Sequence, residues 1–480
     1  MAKTYDAVII GSGPNGLSAA IRLAQESLSV LVLEGKETIG GGTRSAELTL
    51  PGFTHDICSA IHPLGLASPF LRELPLEEFG LSWVHPDAPL AHPLDDGNAV
   101  IIERSIEKTA EGLGEDGRAY RKLMEPLVKN WPGLLDEILG PFPLPPRHPF
   151  LMARFGLQAI RSASGLSKAL FSREGTRAAF AGMSGHSMLP LESPLSAAFG
   201  LTLGVLAHGV GWPMASGGSQ KIADALVGYL KSLGGEIQTD QMVASLTELP
   251  QAANVLFDLT PRQILAIAGD DLQPAYRRRL AGYRYGPGVC KVDWALEGPI
   301  PWKSPQVKRA ATVHVGGSME EIAAAERAVW EGKHPQQPYV LLAQQTLFDP
   351  SRAPSEKHTA WAYCHVPHGS TQDVSLQIED QIERFAPGFK DCILARSVHT
   401  AGQMEIYNPN YVGGDINGGI QDYRQLFTRP VARLNPYVIP TQASSPKRKL
   451  YVCSSSTPPG GGVHGMCGYY AAQSVLREIS

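Results

Sequence analysis

The chain has 480 residues, 43% of them hydrophobic and 18% charged, enough for two or more domains around a large core. A net charge of −4 gives no global attraction to nucleic acid. Six scattered cysteines with no C-x-x-C pair argue against a disulfide framework, and neither they nor His365 and His368 form a metal-ligand pattern.

An apolar strand is expected at residues 7–10, followed by the turn Gly11-Ser12-Gly13-Pro14-Asn15-Gly16 and a helix over 17–25. A second strand at 30–33 ends in Glu34, with Gly35 and Lys36 behind it. A G-x-G-x-x-G loop between strand and helix, with an acid at the end of the next strand, is a dinucleotide-binding context. Gly11 permits the tight turn, Gly13 lets the backbone approach a pyrophosphate, and Gly16 lets helix and strand pack closely. The free N–H groups and partial positive charge of the helix N-terminus favour the phosphates. Glu34 is placed to accept from a ribose diol and disfavours a 2′-phosphate, which argues against NADP.

Short strands are expected within 76–105 and a long helix over 105–139, with Ser105 as its N-cap. Prolines interrupt the pattern at 141–149. From 138 to 173 there is no acidic residue, while Arg147, Arg154, Arg161 and Lys168 recur every seven positions. That stripe reads either as a membrane-surface helix or as a solvated helix of a substrate domain. Residues 178–215 are apolar and glycine-rich, suited to the wall of a hydrophobic cavity. A helix over 220–233, Val243 and a strand at 255–258 form a second βα unit. Strands are expected around Trp294, Val313, 340–342 and 361–363, a helix over 374–385, loops over 404–440, and a last strand at 450–452. The first strand starts within a few residues of Met1, and no apolar run reaches ~18 residues, so a cytoplasmic chain without signal peptide or spanning helix is expected.

After Glu34 the chain runs Gly40-Gly41-Gly42-Thr43-Arg44, then Pro51-Gly52-Phe53 and Asp56. It closes with Ser454-Ser455-Ser456-Thr457-Pro458-Pro459-Gly460-Gly461-Gly462-Val463-His464-Gly465-Met466 and a helix. Both stretches resemble the amine oxidase and phytoene desaturase superfamily of flavoproteins. Arg44 stands two places later than the family arginine, and Ser454-Ser455 replaces the usual Gly-Asp. The resemblance implies FAD held by Gly11, Ser12, Gly13, Pro14, Asn15, Gly16, Glu34, Gly35, Lys36, Gly41, Gly42, Thr43, Arg44, Ala60, Ile61, Val243, Ser455, Val463, Gly465 and Met466. It also implies an α/β fold: a Rossmann-type FAD-binding domain built from separated segments (1–75, 212–286 and 445–480). An α+β substrate domain of mixed or antiparallel sheet and helices (76–211 and 287–444) would complete it.

Two catalytic candidates follow. Lys291 sits in an apolar strand resembling the amine oxidase stretch whose lysine reaches the flavin through a water; otherwise it snorkels to solvent. His464 lies in the flavin-facing loop as an acid–base group or as a histidine bonded to loop backbone. The expected activity is hydride transfer from a hydrophobic, polyene or lipid-like substrate to the flavin, with dioxygen or a quinone as acceptor. The alternatives are redox-neutral double-bond isomerisation, a non-catalytic flavin-bound interaction protein, and amine oxidation with a cage from Tyr407, Tyr411 and Tyr469 or Tyr470.

Overall fold

Two sheets carry the fold in the computed structural model, which describes residues 3–142, 145–443 and 448–479. The expected segment boundaries at 1, 445 and 480, and positions 143–144 of the proline-rich break, lie outside the described residues. β1 (Tyr5–Ile10), α1 (Pro14–Gln25) and β2 (Val30–Leu33) open a six-stranded sheet. Its order is Val438–Ile439, Lys449–Val452, Ala252–Phe257, β1, β2, Glu236–Gln238. All neighbours are parallel except the antiparallel edge pair, Val438–Ile439 on Lys449–Val452. Parallel strands covered on both faces need apolar side chains in succession, and β1 and β2 supply them. Ile9, Val32 and Leu256 pack under α1 and the last helix, Met466–Ile479, while Val8, Leu31 and Phe257 face the opposite layer. The last helix crosses α1 so closely that a Cβ on Gly468 would lie 1.8 Å from the Asn15 carbonyl oxygen.

The second sheet has seven strands in the order Ile393–His399, Gly288–Leu296, His358–Val366, Val340–Ala343, Ala310–Val315, Ala88–Pro93, Ala99–Ile102. It is mixed, because Ala310–Val315 runs parallel to Ala88–Pro93 and the other pairs are antiparallel. One face buries Val292, Trp294 and Ala362 against Ile378, Ile382 and Phe385 of the helix Ser375–Phe385. Register puts Lys291 beside Tyr363, Tyr363 beside Leu341 and Leu341 beside His314 on the other face. Thr312, Ala343, Trp361 and Asp293 form the next row of that face.

Several expected elements differ. The single helix over 105–139 is three, Ile106–Gly112, Gly117–Val128 and Trp131–Ile138. Glycines at 112, 114 and 117 break it first, and Pro132 stands in the first turn of the third helix, where its missing N–H costs nothing. Ser105 is the N-cap, its Oγ accepting the Lys108 N–H at 3.2 Å. The basic stripe is broken up: Arg154 lies on Pro149–Ala159 and Lys168 on Ala163–Leu170, while Arg147 precedes the first helix and Arg161 stands in the break where Ser162 caps the second by accepting from the Gly165 N–H. The expected loop over 404–440 is entered from a helix, Ala401–Tyr407, opened by a capping box between Thr400 and Gln403.

Candidate functional site

The glycine loop leaves β1 with Gly11 at φ +103°, a turn that only glycine makes without strain. A Cβ on Gly16 would stand 2.2 Å from the Gly11 carbonyl oxygen, so the third glycine lets α1 start against the strand. Gly13 has an additional reason to be small. Its Cβ would lie 2.6 Å from Oδ2 of Asp258, the residue just past the strand Ala252–Phe257. Asp258 accepts the Gly16 N–H at 3.0 Å, and its burial raises the carboxyl from 3.8 to about 7. α1 itself has no side-chain cap and no acid in its first turn. Asn15 Oδ1 is buried beside that N-terminus without a partner, while its Nδ2 donates to Ser455 Oγ at 3.4 Å. The two ends of the sequence therefore meet at the loop.

Glu34 is held by four donors. Its Oε2 accepts from the Ser12 N–H at 3.0 Å and the Ser12 hydroxyl at 2.6 Å, and Oε1 from the Lys36 N–H and Arg44 Nη2, each at 3.0 Å. A carboxylate has about four acceptor sites, so these four donors occupy Glu34 fully. Arg44 is buried, donates through Nε to the Thr38 carbonyl oxygen and lies over the Tyr407 ring. Its guanidinium thus orients Glu34.

A cavity of about 580 Å³ runs from this loop to the second sheet. Of the residues expected at the cofactor, Gly11, Ser12, Gly13, Pro14, Asn15, Glu34, Gly35, Lys36, Gly41, Gly42, Arg44, Ala60, Ile61, Val243, Ser455 and Val463 line it. Gly16, Thr43, Gly465 and Met466 stand behind that lining. Thr43 Oγ1 donates to the Gly40 carbonyl oxygen at 2.8 Å, and Gly465 packs on Ser18. The Met466 N–H donates to His464 Nδ1 at 3.0 Å.

The two catalytic candidates lie one layer away from the cavity. Lys291 is 1% exposed and ion-paired with Asp293, its ammonium 5.7 Å from the centre of the Trp361 ring. Trp361 lines the cavity in front of it. Burial raises Asp293 to about 6 despite the lysine, and burial, with the Lys291 charge second, lowers His55 to about 3. His464 is fully buried, and burial lowers it to about 4. Among the four tyrosines of the expected amine cage, Tyr411 lines the cavity. Tyr407 packs on Arg44, and Tyr469 and Tyr470 pack on each other, Phe70 and Tyr437.

Further lining residues were not among the expected cofactor contacts, although His186 and Trp212 belong to the apolar stretch 178–215 expected at a cavity wall. Asp258 closes the glycine loop from below, while His186, Trp212, Thr312, Trp361 and Tyr363 wall the far end, Trp361 stacked on Tyr363 at 5.5 Å. Asp258 had a signal, an acid directly after an apolar strand, but its partner lies 242 positions earlier.

The profile of the NAD(P)-binding Rossmann-like domain matches residues 9–74. The chain carries a Rossmann-like nucleotide-binding domain. Pyridine nucleotide-disulfide oxidoreductase domain-containing protein 2 of Mus musculus is 25% identical over 560 aligned residues, spanning 99% of this chain and 94% of its own. An oxidoreductase from Methanosarcina mazei superposes with a TM-score of 0.64 at 18% identity, over 98% of this chain and 99% of its own. Putrescine oxidase bound to putrescine superposes with a TM-score of 0.61 at 16% identity, over 99% of each chain. The fold is the one these oxidoreductases share. Among the described residues no helix is long and apolar enough to cross a membrane.

Proposed function

We propose that this chain is an FAD-dependent oxidoreductase of desaturase or dehydrogenase type, taking hydride from an apolar small molecule. The observation that carries the reading is one continuous cavity joining a dinucleotide cradle to an aromatic-walled chamber on the second sheet. The N-terminus of α1 behind the glycine loop, with no acid in its own first turn, and the buried Glu34 fit an adenine dinucleotide without a 2′-phosphate. When bound, FAD supplies the two-electron hydride acceptor, and the protein supplies position and electrostatics. The N-terminus of the helix Met466–Ile479, entered from Val463 in the cavity wall, favours negative charge at that end. Trp212, Trp361, Tyr363 and Leu203 exclude water from the chamber.

An apolar substrate is favoured over an amine because, among the described residues, the acids lining the cavity are Glu34 and Asp258, both at the nucleotide end. Electrons leave to dioxygen or a quinone in this proposal. Peripheral contact through 147–173 is part of it too, since Phe150 and Leu157 are 91% and 67% exposed beside Arg154. The test is anaerobic mixing of the purified yellow protein with terpenes, fatty alcohols and polyenes. Bleaching of the flavin band by one of these classes is expected. Bleaching by amines alone would overturn the reading, and turnover of a double bond by pre-reduced protein without net acceptor consumption would convert it to isomerisation.

A further inference from the structure

The chamber wall farthest from the glycine loop carries a hydrogen-bonding arrangement that hydride transfer does not use. Thr312 and His314 alternate on the strand Ala310–Val315 and project from the same face, about 6.6 Å apart along the strand. Thr312 lines the cavity and is 5% exposed, and its Oγ1 has no hydrogen-bond partner. A buried hydroxyl with nothing to bind is costly, and a ligand oxygen that reaches it at this lining residue would complete it.

Beside it, His314 is fully buried and its Nε2 lies 2.9 Å from Nε2 of His186, which lines the cavity at the end of the helix Glu174–Gly185. Trp212 and Tyr339 fix the rings, Trp212 at 5.9 Å from His186 and 5.8 Å from His314, Tyr339 at 5.7 Å from His314. Burial holds His186 at about 3 and His314 well below 6.5, so both are neutral near pH 7. One nitrogen of the close pair must then carry a proton and the other must accept it. The choice follows from the far side of His314, where Nδ1 has no partner. Orphaned N–H groups are rarer in cores than orphaned acceptors, which puts the His314 proton on Nε2 and leaves Nδ1 as a bare lone pair. His186 accepts at Nε2 and so keeps its own proton on Nδ1.

We propose that this wall anchors the substrate by one neutral oxygen: a carbonyl or hydroxyl on an otherwise apolar molecule, accepting from His186 Nδ1–H and Thr312 Oγ1–H. The assignment rests on reading the cavity as the hydride-transfer site. A carboxylate or phosphate is excluded as the anchored group, because the lysine and arginine among the described lining residues, Lys36 and Arg44, stand beside Glu34 at the nucleotide end. His186 and Thr312 thereby set specificity, and His314 positions His186.

The experiment compares limonene, carveol and carvone, which share one C10 skeleton and differ in having no oxygen, a hydroxyl or a ketone. Binding to the holoprotein is measured by calorimetric titration, and flavin content is read separately by absorbance. The parent should bind carveol and carvone at least roughly 5–10-fold more tightly than limonene, the scale of one to two satisfied buried hydrogen bonds. Thr312→Val, nearly the same shape without the hydroxyl, and His186→Phe should each reduce that preference by several-fold, read as the ratio of carveol or carvone affinity to limonene affinity within the same variant. His314→Phe should act like His186→Phe through loss of tautomer control. Equal binding of all three compounds, no binding of any at saturation, or a preference that survives both Thr312→Val and His186→Phe would overturn the proposal. A preference that follows these predictions in protein lacking flavin would leave the anchor standing and remove the hydride-transfer reading instead.

Discussion

Asp258 offers a test of how the glycine loop is built. Its carboxyl sits under α1, accepts the Gly16 N–H at 3.0 Å and is raised from 3.8 to about 7, chiefly by burial and secondarily by the charge of Glu34. Replacing it by Asn keeps an acceptor for Gly16 and removes the charge. In the parent, the folded state holds a proton on Asp258 between pH 3.8 and about 7 that the unfolded chain has released, so stability falls as pH rises through that window and stays low above it. The difference between the two values corresponds to about 4 kcal/mol. Asp258→Asn should therefore match the parent near the acid end and exceed it by about 2–4 kcal/mol above neutrality. Chemical unfolding from about pH 4 to about pH 8 measures this directly. The same substitution removes a negative charge beside the place assigned to the diphosphate, so the gain should grow when FAD is added. Parallel stability profiles for parent and variant across the range would refute the burial of an uncompensated carboxyl here.

Substitutions centred on Lys291, His464 and Gly468 probe the surroundings of the cavity. Lys291→Met strands the buried Asp293 and should cost about 3–5 kcal/mol in urea unfolding, most of it recovered by adding Asp293→Asn; no loss would remove the pair from the core. His464→Phe leaves the Met466 N–H unpaired and should cost about 1–3 kcal/mol, while His464→Gln stays near the parent. Because burial lowers His464 from 6.5 to about 4, its contribution is present above 6.5 and lost as pH falls toward about 4, and His464→Phe should flatten that acid limb in melting curves. Gly468→Ala places a methyl against the Asn15 carbonyl and should cost about 1–3 kcal/mol by overpacking. Flavin retained on gel filtration would fall with it, and unchanged retention would separate the helix crossing from the cradle.

The parts of this site that sequence made legible are those built from neighbours in the chain. The loop from Gly11 to Gly16, the strands around it and Glu34 follow one local pattern, and the polar residues that orient Glu34 lie inside it (Ser12) or within ten positions after it (Lys36 and Arg44). Arg44, expected at the cofactor, lines the cavity and also donates to the Glu34 carboxylate. Lys291 and Asp293 are two apart on a strand, so their shared face was visible in the alternation, though not the burial that pairs them. The far wall was legible in part: the apolar stretch 178–215, expected at a cavity wall, contributes His186, Leu203 and Trp212, but their partners on the second sheet were not. His186 and His314 are 128 positions apart, and only the register of a seven-stranded sheet and one helix end bring them together with Thr312. Helix breaks were missed where glycines and prolines interrupt a sound apolar period, at 112–117 and at Pro132, because the period continues through them.

The central claim is that the cradle from Gly11 to Glu34 and the segment closing on Val463 hold FAD. The most direct measurement is to denature the purified protein and identify the released cofactor by chromatography. One FAD per chain is the result expected. Protein that is colourless and takes up no FAD on reconstitution, or that releases a nicotinamide dinucleotide instead, would contradict it.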